Sequence, residues 1–577
     1  MSSLAHDPST LHALVDMGSN GIRFSITDLS APTARTTPTL YQSRAGISLY
    51  DAQYPASSHG ERQPIDAATI GAVVAAFRGF KRACADFCVP EANVTILATE
   101  ATRTAVNGAE FMGAIKGAVG WEVQLLAKGE EGRVGAMGVA SSLPGVKGLV
   151  MDLGGGSTQL SWLVKDSEGV RMPEAGAASL PYGAAALTRR LGEAEGRGSE
   201  AVRELEREVR EAVRGAYEGL GVPEGLTRAA EAEGGFTLYL SGGGFRGWGY
   251  VLMSRHRVKP YPIPVINGFK VSRKDFLRTD VVQQAAAAAL EADDGSDDIF
   301  RISDRRAGQV PAVAFLVGAL SQALPQVKEV RFCQGGVREG YLFSNLPPEI
   351  QAQHPLVVAT QPFDIRGTSS RMTDLLLSAF PPGSTSGAQD DYKATFDRDH
   401  LHAFANLMYY HSSHSKDLQA TSALRSTTSG ALAGVHGILH ESRALLGLLL
   451  CARWGGSVPP SDEAFKRNLE QIVESGWTLW WINYVGAVAG LVAEVYPAGF
   501  VAEDEARLRV QAAWDRDEKG RPALALKLSF GDGVSVATLG KLIKGVEKVG
   551  KKKRWIGGKD GSGHRVDVSV ECGGLGA

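Results

Sequence analysis

The chain carries one pattern twice, and that repetition limits its fold more than any other feature. Residues 11–15 form an apolar run that leads into Asp16-Met17-Gly18-Ser19-Asn20-Gly21 and then into Ile22-Arg23-Phe24-Ser25-Ile26, where apolar and polar side chains alternate. Residues 148–162 repeat the order: an apolar run, Asp152-Leu153-Gly154-Gly155-Gly156-Ser157-Thr158, and a return through Gln159, Leu160, Ser161 and Trp162. Asp16 corresponds to Asp152 and Gly18 to Gly154. Each copy predicts a strand, a tight turn and a returning strand. A hairpin cannot bury its own apolar face, so two copies predict two related lobes, each built around one of them.

The segments after each hairpin predict layered α/β lobes. After the first, apolar residues recur at helical spacing over 65–87, and 94–98 reads as a strand, 107–118 as a helix, 123–127 as a strand and 129–142 as a helix. After the second come helices near 182–192 and 198–220, a strand at 237–240 and a third glycine turn at Ser241-Gly242-Gly243-Gly244. Helices near 273–291 and 310–323 and a strand at 330–333 then lead into Gln334-Gly335-Gly336-Val337. A chain of 577 residues exceeds what one core holds. The expected division is a first lobe over 1–130, a second over 131–345, a linker or mobile loop over 346–397, a helical domain over 398–502 and a small α+β tail over 503–577. The breakers Leu346-Pro347-Pro348, Pro381-Pro382-Gly383 and Ser384-Thr385-Ser386-Gly387 motivate the linker. In the tail, 507–513 and 524–530 alternate like a hairpin, 536–549 reads as a helix and 566–570 as a strand.

With a net charge of −2, no overall field recruits nucleic acid or an anionic membrane, so an anion must be held by local donors. Glycine numbers 69, against about 40 for a chain of usual composition, and it clusters in the turns beside the strands. Backbone N–H groups in such turns, with Arg or Lys and a metal, grip phosphate chains, because a Cβ would block the approach. The candidate phosphate-binding residues are Gly18, Ser19, Asn20, Arg23, Arg103, Gly154, Gly155, Gly156, Ser157, Thr158, Gly335 and Gly336. Asp16 and Asp152 end their strands and are candidate ligands of Mg²⁺, the expected cofactor. The fold these features predict is a two-lobed α/β core of the actin/Hsp70/sugar-kinase (ribonuclease H-like) type, with the ligand in the interlobe cleft.

Five segments carry a more specific likeness: Asp16 to Asn20 with Arg23, Ala98-Thr99-Glu100-Ala101-Thr102-Arg103, Gly129-Glu130-Glu131-Gly132-Arg133, Asp152 to Thr158, and Gly335-Gly336-Val337-Arg338-Glu339-Gly340. Their order and spacing across 11–345 resemble the Ppx/GppA phosphatases, which are exopolyphosphatases and guanosine pentaphosphate phosphohydrolases. The resemblance implies that Glu131 is the catalytic base, and phosphoanhydride hydrolysis does need a carboxylate to take a proton from in-line water. It implies phosphate clamps at Arg23 and Arg103. One departure concerns catalysis: many members have Glu where this chain has Gln159, and an amide offers no charge to a metal or water. The region past 345 is unlike a bacterial tail; with Arg425-Ser426-Thr427-Thr428-Ser429-Gly430 and Trp480-Trp481-Ile482-Asn483-Tyr484 it is similar to fungal regulators that relay mitochondrial state to transcription.

Two functions follow: hydrolysis of the terminal phosphate of polyphosphate or a nucleotide, or regulation, in which the cleft senses ATP or polyphosphate and controls a partner protein. A second copy of the chain is a further possible partner. Five cysteines without a C-x-x-C pair, no signal pattern and no apolar run of membrane length predict a cytoplasmic protein, with Cys84 and Cys88 as core thiols on one helix face. The histidines between 400 and 440, the basic run 544–554 and the tryptophans at 477–481 are expected to serve packing or solvation.

Overall fold

Strand β1 (Leu11–Gly18) is almost continuously apolar because both its faces are covered. Leu11, Ala13, Val15 and Met17 pack with Phe77 and Phe80 of the helix Ala67–Asp86 and with Phe111 and Ile115 of Gly108–Val119. Leu14, on the opposite face, packs with Leu97, Leu126 and Leu342. β1 pairs antiparallel with β2 (Gly21–Asp28), and β2 with β3 (Thr39–Ala45). On the other side, β4 (Val94–Ala98) runs parallel to β1 and β5 (Val123–Leu125) parallel to β4, which gives the order β3-β2-β1-β4-β5.

The second sheet repeats this layout. It comprises β6 (Val146–Leu153), β7 (Thr158–Asp166), β8 (Gly169–Arg171), β9 (Ala178–Leu180), β10 (Phe236–Ser241), β11 (Lys270–Ser272) and β12 (Val327–Phe332). Its order is β11-β12-β10-β6-β7-β8, with β9 beside β7. β7 runs antiparallel to both β6 and β8, and β10 and β12 continue from β6 in parallel. Without the additions β9 and β11, the order β8-β7-β6-β10-β12 matches the first sheet strand for strand, so the sequence duplication is a duplication of sheet topology.

The computed structural model describes residues 6–55, 61–291, 299–383, 392–503 and 506–573. It divides into one unit of Met1–Arg257 and Val265–Gln353, which holds both sheets, and another of Val258–Pro264 and His354–Ala577.

In the first unit, the helices Lys128–Ser141 and Val337–Ser344 meet backbone to backbone. A Cβ on Gly340 would lie 2.6 Å from the Gly138 nitrogen, and one on Gly335 would lie 2.6 Å from the Ser142 hydroxyl. Arg35 and Lys165 are buried at the carboxyl end of the first helix. Arg35 donates to Ser141 O at 3.1 Å, and Lys165 to Ala140 O at 3.1 Å and Leu143 O at 2.9 Å. Donors there satisfy terminal carbonyls, and the Arg35 charge complements the helix dipole. Burial, with Arg35 alongside, pushes the Lys165 amine down to about 6.

Three local expectations change. Gly242-Gly243-Gly244, expected as a glycine turn, opens the helix Gly242–Ser254, which begins the crossover that β10 needs to reach its parallel sheet neighbour β12. The expected linker contains the helices Pro355–Thr360 and Ser369–Leu377, anchored by buried Leu356, Val358, Met372 and Leu376; its Ser384-Thr385-Ser386-Gly387 stretch lies outside the described residues. Cys84 is buried, whereas Cys88 is exposed at φ +57° because its helix ends at Asp86.

In the second unit, His440–Arg453 packs on Gly476–Val495, where a Cβ on Gly486 would collide with Ala452. Gly476–Val495 has the length and composition of a membrane span, at odds with the sequence expectation, yet 67% of it is buried as in a core helix. The tail is a sheet of β13 (Leu508–Arg516), β14 (Pro522–Phe530) and β15 (Arg565–Cys572), with the helix Val536–Val549 joining the parallel pair β14 and β15. The clustered histidines make hydrogen bonds within this unit: His400 with Asp397 and Ser442, His411 with Ser426, His440 with Tyr261.

Candidate functional site

The two glycine turns face each other. A Cβ on Gly155 would stand 2.8 Å from the Asn20 side chain, and one on Gly156 would strike the Glu100 carboxylate. The carbonyls of the second turn are taken by the start of the helix Ala184–Arg197: Ala184 N donates to Gly154 O at 2.9 Å, Ala185 N to Gly155 O at 3.0 Å and Gly183 N to Gly156 O at 3.1 Å. Among the described residues, the N–H groups of Gly155, Gly156 and Ser157 have no hydrogen-bond acceptor, and the same holds for Ser19 and Asn20. This is the donor arrangement that phosphate oxygens require.

Asp16 and Asp152 lie beneath the turns. Burial raises both above the usual carboxylate range, and the Asp16 charge raises Asp152 further, while Arg23, 3.7 Å from Asp16, favours the ionised form of each. Ser241 donates a hydrogen bond to Asp152. Among the described residues, no three His, Cys, Asp or Glu side chains are grouped to hold a metal ion. Two desolvated carboxylates of like charge nevertheless suit Mg²⁺, which keeps much of its water and takes few protein ligands beside phosphate oxygens.

Glu131 stands in the first turn of Lys128–Ser141. Burial, with Glu100 and Asp152 nearby, pushes its carboxyl up to about 7, against the opposing pull of Arg103. It borders a cavity of about 40 Å³ that Asp152, Gln159 and Ser161 also line, room enough for a water with polar partners. Gln159 pairs in register with Asp152 and donates from Nε2 to the Ser157 hydroxyl at 3.2 Å and to Ser179 at 3.4 Å.

Some sequence candidates are otherwise engaged. Arg103 donates to Glu131 at 3.0 Å and to Leu126 O at 2.6 Å, so it positions Glu131 instead of standing open as a clamp. The Thr158 hydroxyl donates to Tyr182 O at 2.7 Å, away from the cleft, and the Gly154 amide to Ser157 O at 3.0 Å. The Gly335 and Gly336 amides donate to Ser142 Oγ at 2.9 Å and Glu339 Oε2 at 3.0 Å, and Gly335 permits close helix packing. Sequence reasoning missed Arg305, which reaches across the cleft to Asn20 Oδ1 at 2.9 Å, Ser48 Oγ at 2.8 Å and Asp51 at 2.9 Å. No local motif marks it.

Arg103→Ala is expected to move the Glu131 titration above about 7, because it removes the charge that lowers it. Carboxyl-carbon NMR of the variant checks this, and an unmoved or lowered titration would refute it.

Two duplicated α/β lobes whose glycine turns oppose each other define a core of the actin/Hsp70/sugar-kinase class. The Ppx/GppA phosphatase family matches residues 30–349 and the RTG2 C-terminal domain matches 354–573. The chain belongs to the Ppx/GppA phosphatase family. It is 40% identical over 506 residues to retrograde regulation protein 2 of Saccharomyces cerevisiae, covering 86% of this chain and 82% of that one. Among solved structures, the Aquifex aeolicus PPX-GPPA enzyme is 21% identical, with 58% of this chain and 99% of that chain covered and a TM-score of 0.44. An exopolyphosphatase from Cytophaga hutchinsonii is 18% identical, with 58% and 97% covered and a TM-score of 0.41.

Proposed function

We propose that this chain is a regulatory phosphate-chain sensor of the cytoplasm, linked to retrograde signalling between mitochondria and nucleus, whose cleft binds ATP or polyphosphate and thereby controls a partner protein. Gln159 carries this reading: the open turn amides would hold phosphate oxygens, but a neutral amide stands beside Asp152 and Glu131 in the cavity. The relative named for retrograde regulation, similar over most of both chains, supports the signalling link. A phosphate chain would compete with Asn20 and Asp51 for the Arg305 guanidinium, so occupancy would alter the contact between the lobes. Bound Mg²⁺ would neutralise phosphate charge between Asp16 and Asp152. Arg23→Ala should weaken binding about ten-fold or more through lost charge-assisted bonds, and unchanged affinity would remove Arg23 from the site.

Hydrolysis is the second reading, favoured by Glu131, whose carboxyl near 7 beside a water-sized cavity suits a general base. Water would attack the terminal phosphorus, Glu131 would take its proton, and the bridging P–O bond would break with the shortened chain leaving. Phosphate release from polyphosphate, guanosine pentaphosphate and ATP, measured beside binding of each, separates the readings. Binding without turnover is the expected result, and efficient turnover would sink the sensor. Gln159→Glu places another carboxylate beside Asp152 and should create or increase Mg²⁺-dependent phosphate release; a variant that stays inert under saturating Mg²⁺ would show that Gln159 is not what limits hydrolysis.

A further inference from the structure

The total charge of −2 conceals an uneven distribution. Residues 541–560 carry eight cations and two carboxylates, Glu547 and Asp560, a net charge of +6 that leaves −8 on the rest of the chain. The fold of the C-terminal tail turns this run into a surface. The helix Val536–Val549 buries Leu539, Ile543 and Val546, and Lys541, Lys544 and Lys548 recur at helical spacing on its exposed side. These three extend over about 10 Å of helix axis. Beyond the helix end, Lys551, Lys552, Lys553 and Arg554 continue the exposed charge through the turn that follows. Among the described residues, none of these seven, nor exposed Lys559, makes an ion pair or donates a side-chain hydrogen bond. The strands and hairpin of the same tail behave differently: Arg521 pairs with Asp517, Lys527 with Glu571 at 2.8 Å and Arg565 with Asp567 at 2.9 Å. Lys544 and Lys548 stand four residues apart, where like charges destabilise a helix. An anionic partner would resolve that conflict.

The chemistry around the run narrows the partner. Its backbone is fixed: a Cβ on Gly550 would collide with the Val566 nitrogen, Trp555 Nε1 donates to Gly550 O at 3.2 Å, and Ile556 bridges to Ser562. A segment pinned at both ends cannot be drawn out as an extended basic peptide for an acidic receptor groove. No large apolar side chain between 531 and 569 is exposed, so nothing there can enter a bilayer. Trp555 is half-buried, packed against Gly563 and with Lys552 Nζ 5.8 Å from its ring centroid, and offers no open face to an unpaired base. Seven of the eight cations are lysines, point charges without the planar fork with which arginine holds carboxylates in pairs. A rigid array of point charges suits the regular phosphate charge of a duplex.

We propose that the exposed side of the helix Val536–Val549 and the turn Lys551–Arg554 dock the phosphate backbone of double-stranded nucleic acid without reading its sequence. The surface belongs to the second unit alone and does not depend on what the cleft binds.

Fluorescence anisotropy of the full chain with short labelled DNA and RNA duplexes, at several salt concentrations, tests this. Wild type should bind with a Kd of about 1–100 μM near physiological salt. Lys541→Ala/Lys544→Ala/Lys548→Ala and Lys551→Ala/Lys552→Ala/Lys553→Ala should each weaken binding at least about ten-fold and flatten the slope of log K against log salt by about 2–3. The same two triples made with arginine keep the charge and should stay within about three-fold of wild type, which guards against a folding defect. Lys116→Ala/Arg203→Ala/Arg228→Ala removes three exposed cations of the first unit and should change affinity less than about two-fold, which separates the patch from net charge. A preference for one duplex assigns DNA or RNA, and equal affinity supports contact with the backbone alone. The proposal is overturned by a wild type that binds neither duplex at about 100 μM. It is also overturned by lysine variants that bind no more weakly than the first-unit control. Tighter binding to polyglutamate, to phosphatidylserine vesicles or to single strands than to duplex overturns it as well.

Discussion

Replacing Arg443 with leucine is expected to lower the unfolding temperature of the C-terminal unit by roughly 10 °C. Arg443 is 1% exposed, and its guanidinium gathers the loop that follows the helix Lys416–Arg425. Nη1 donates to Thr427 O, to Leu432 O at 2.9 Å and to Ala433 O at 3.5 Å, and Nη2 donates to Val435 O at 2.7 Å. The Thr427 hydroxyl closes the arrangement on Arg443 O at 2.8 Å. Leucine fills part of the volume but leaves those acceptors unpaired. Hydrogen bonds to a charged group contribute about 1.5–3 kcal/mol each, and an unpaired buried acceptor costs about 1–3 kcal/mol, so a loss of about 4 kcal/mol is a conservative total. Arg443→Lys should lose less, since an ammonium still serves some of the carbonyls. Differential scanning calorimetry reads both variants, and a leucine variant within about 2 °C of wild type would refute the assignment.

Glu131→Gln is expected to stabilise the protein in a pH-dependent way, whatever the cleft does with its ligand. Glu131 is held at about 7 in the folded chain against 4.5 ordinarily, so the folded state binds its proton more tightly than the unfolded state. The stability this confers is complete below about 4.5 and is lost as pH rises to about 7; above that the folded chain carries a costly buried carboxylate. Glutamine is neutral throughout and can still accept from Arg103. The variant should match wild type near pH 4 and exceed it by about 3 kcal/mol at pH 8, since each tenfold difference in proton affinity between the folded and unfolded states is worth about 1.4 kcal/mol. Urea denaturation at both pH values tests this, and an equal or smaller stability at pH 8 would contradict the burial argument. In the hydrolytic reading the same variant also loses turnover and keeps ligand binding, because the amide preserves shape without accepting a proton.

The second expectation depends on tertiary placement. Glu130 and Glu131 are adjacent in sequence, yet they meet different surroundings. Glu131 faces Asp152 and Glu100 across the cleft, while Glu130 is exposed. A pair of glutamates at a helix start also has an ordinary reading as a favourable interaction with the helix dipole. Gln159 was visible as a departure in the sequence, but its place beside the Glu131 cavity follows from the pairing of β6 with β7.

What the sequence determined by itself is local and repeated. Asp16-Met17-Gly18 and Asp152-Leu153-Gly154 sit within strand–turn–strand patterns whose period of two and glycine turns depend only on near neighbours, so both hairpins and the duplication were legible before any packing was known. The tail hairpin and the helix Val536–Val549 were legible for the same reason. The tertiary structure decided the rest. Gly335 resembles a phosphate-binding glycine in sequence, but its amide is consumed by Ser142, which only the crossing of two helices brings near. Arg23, Arg44, Arg246, Arg305 and Arg306 share no motif and converge because sheet order and lobe packing bring distant segments to one cleft. Short-range pattern specifies an element, whereas which donors remain open and which charges meet is set by contacts between residues hundreds of positions apart, and no local spacing encodes them.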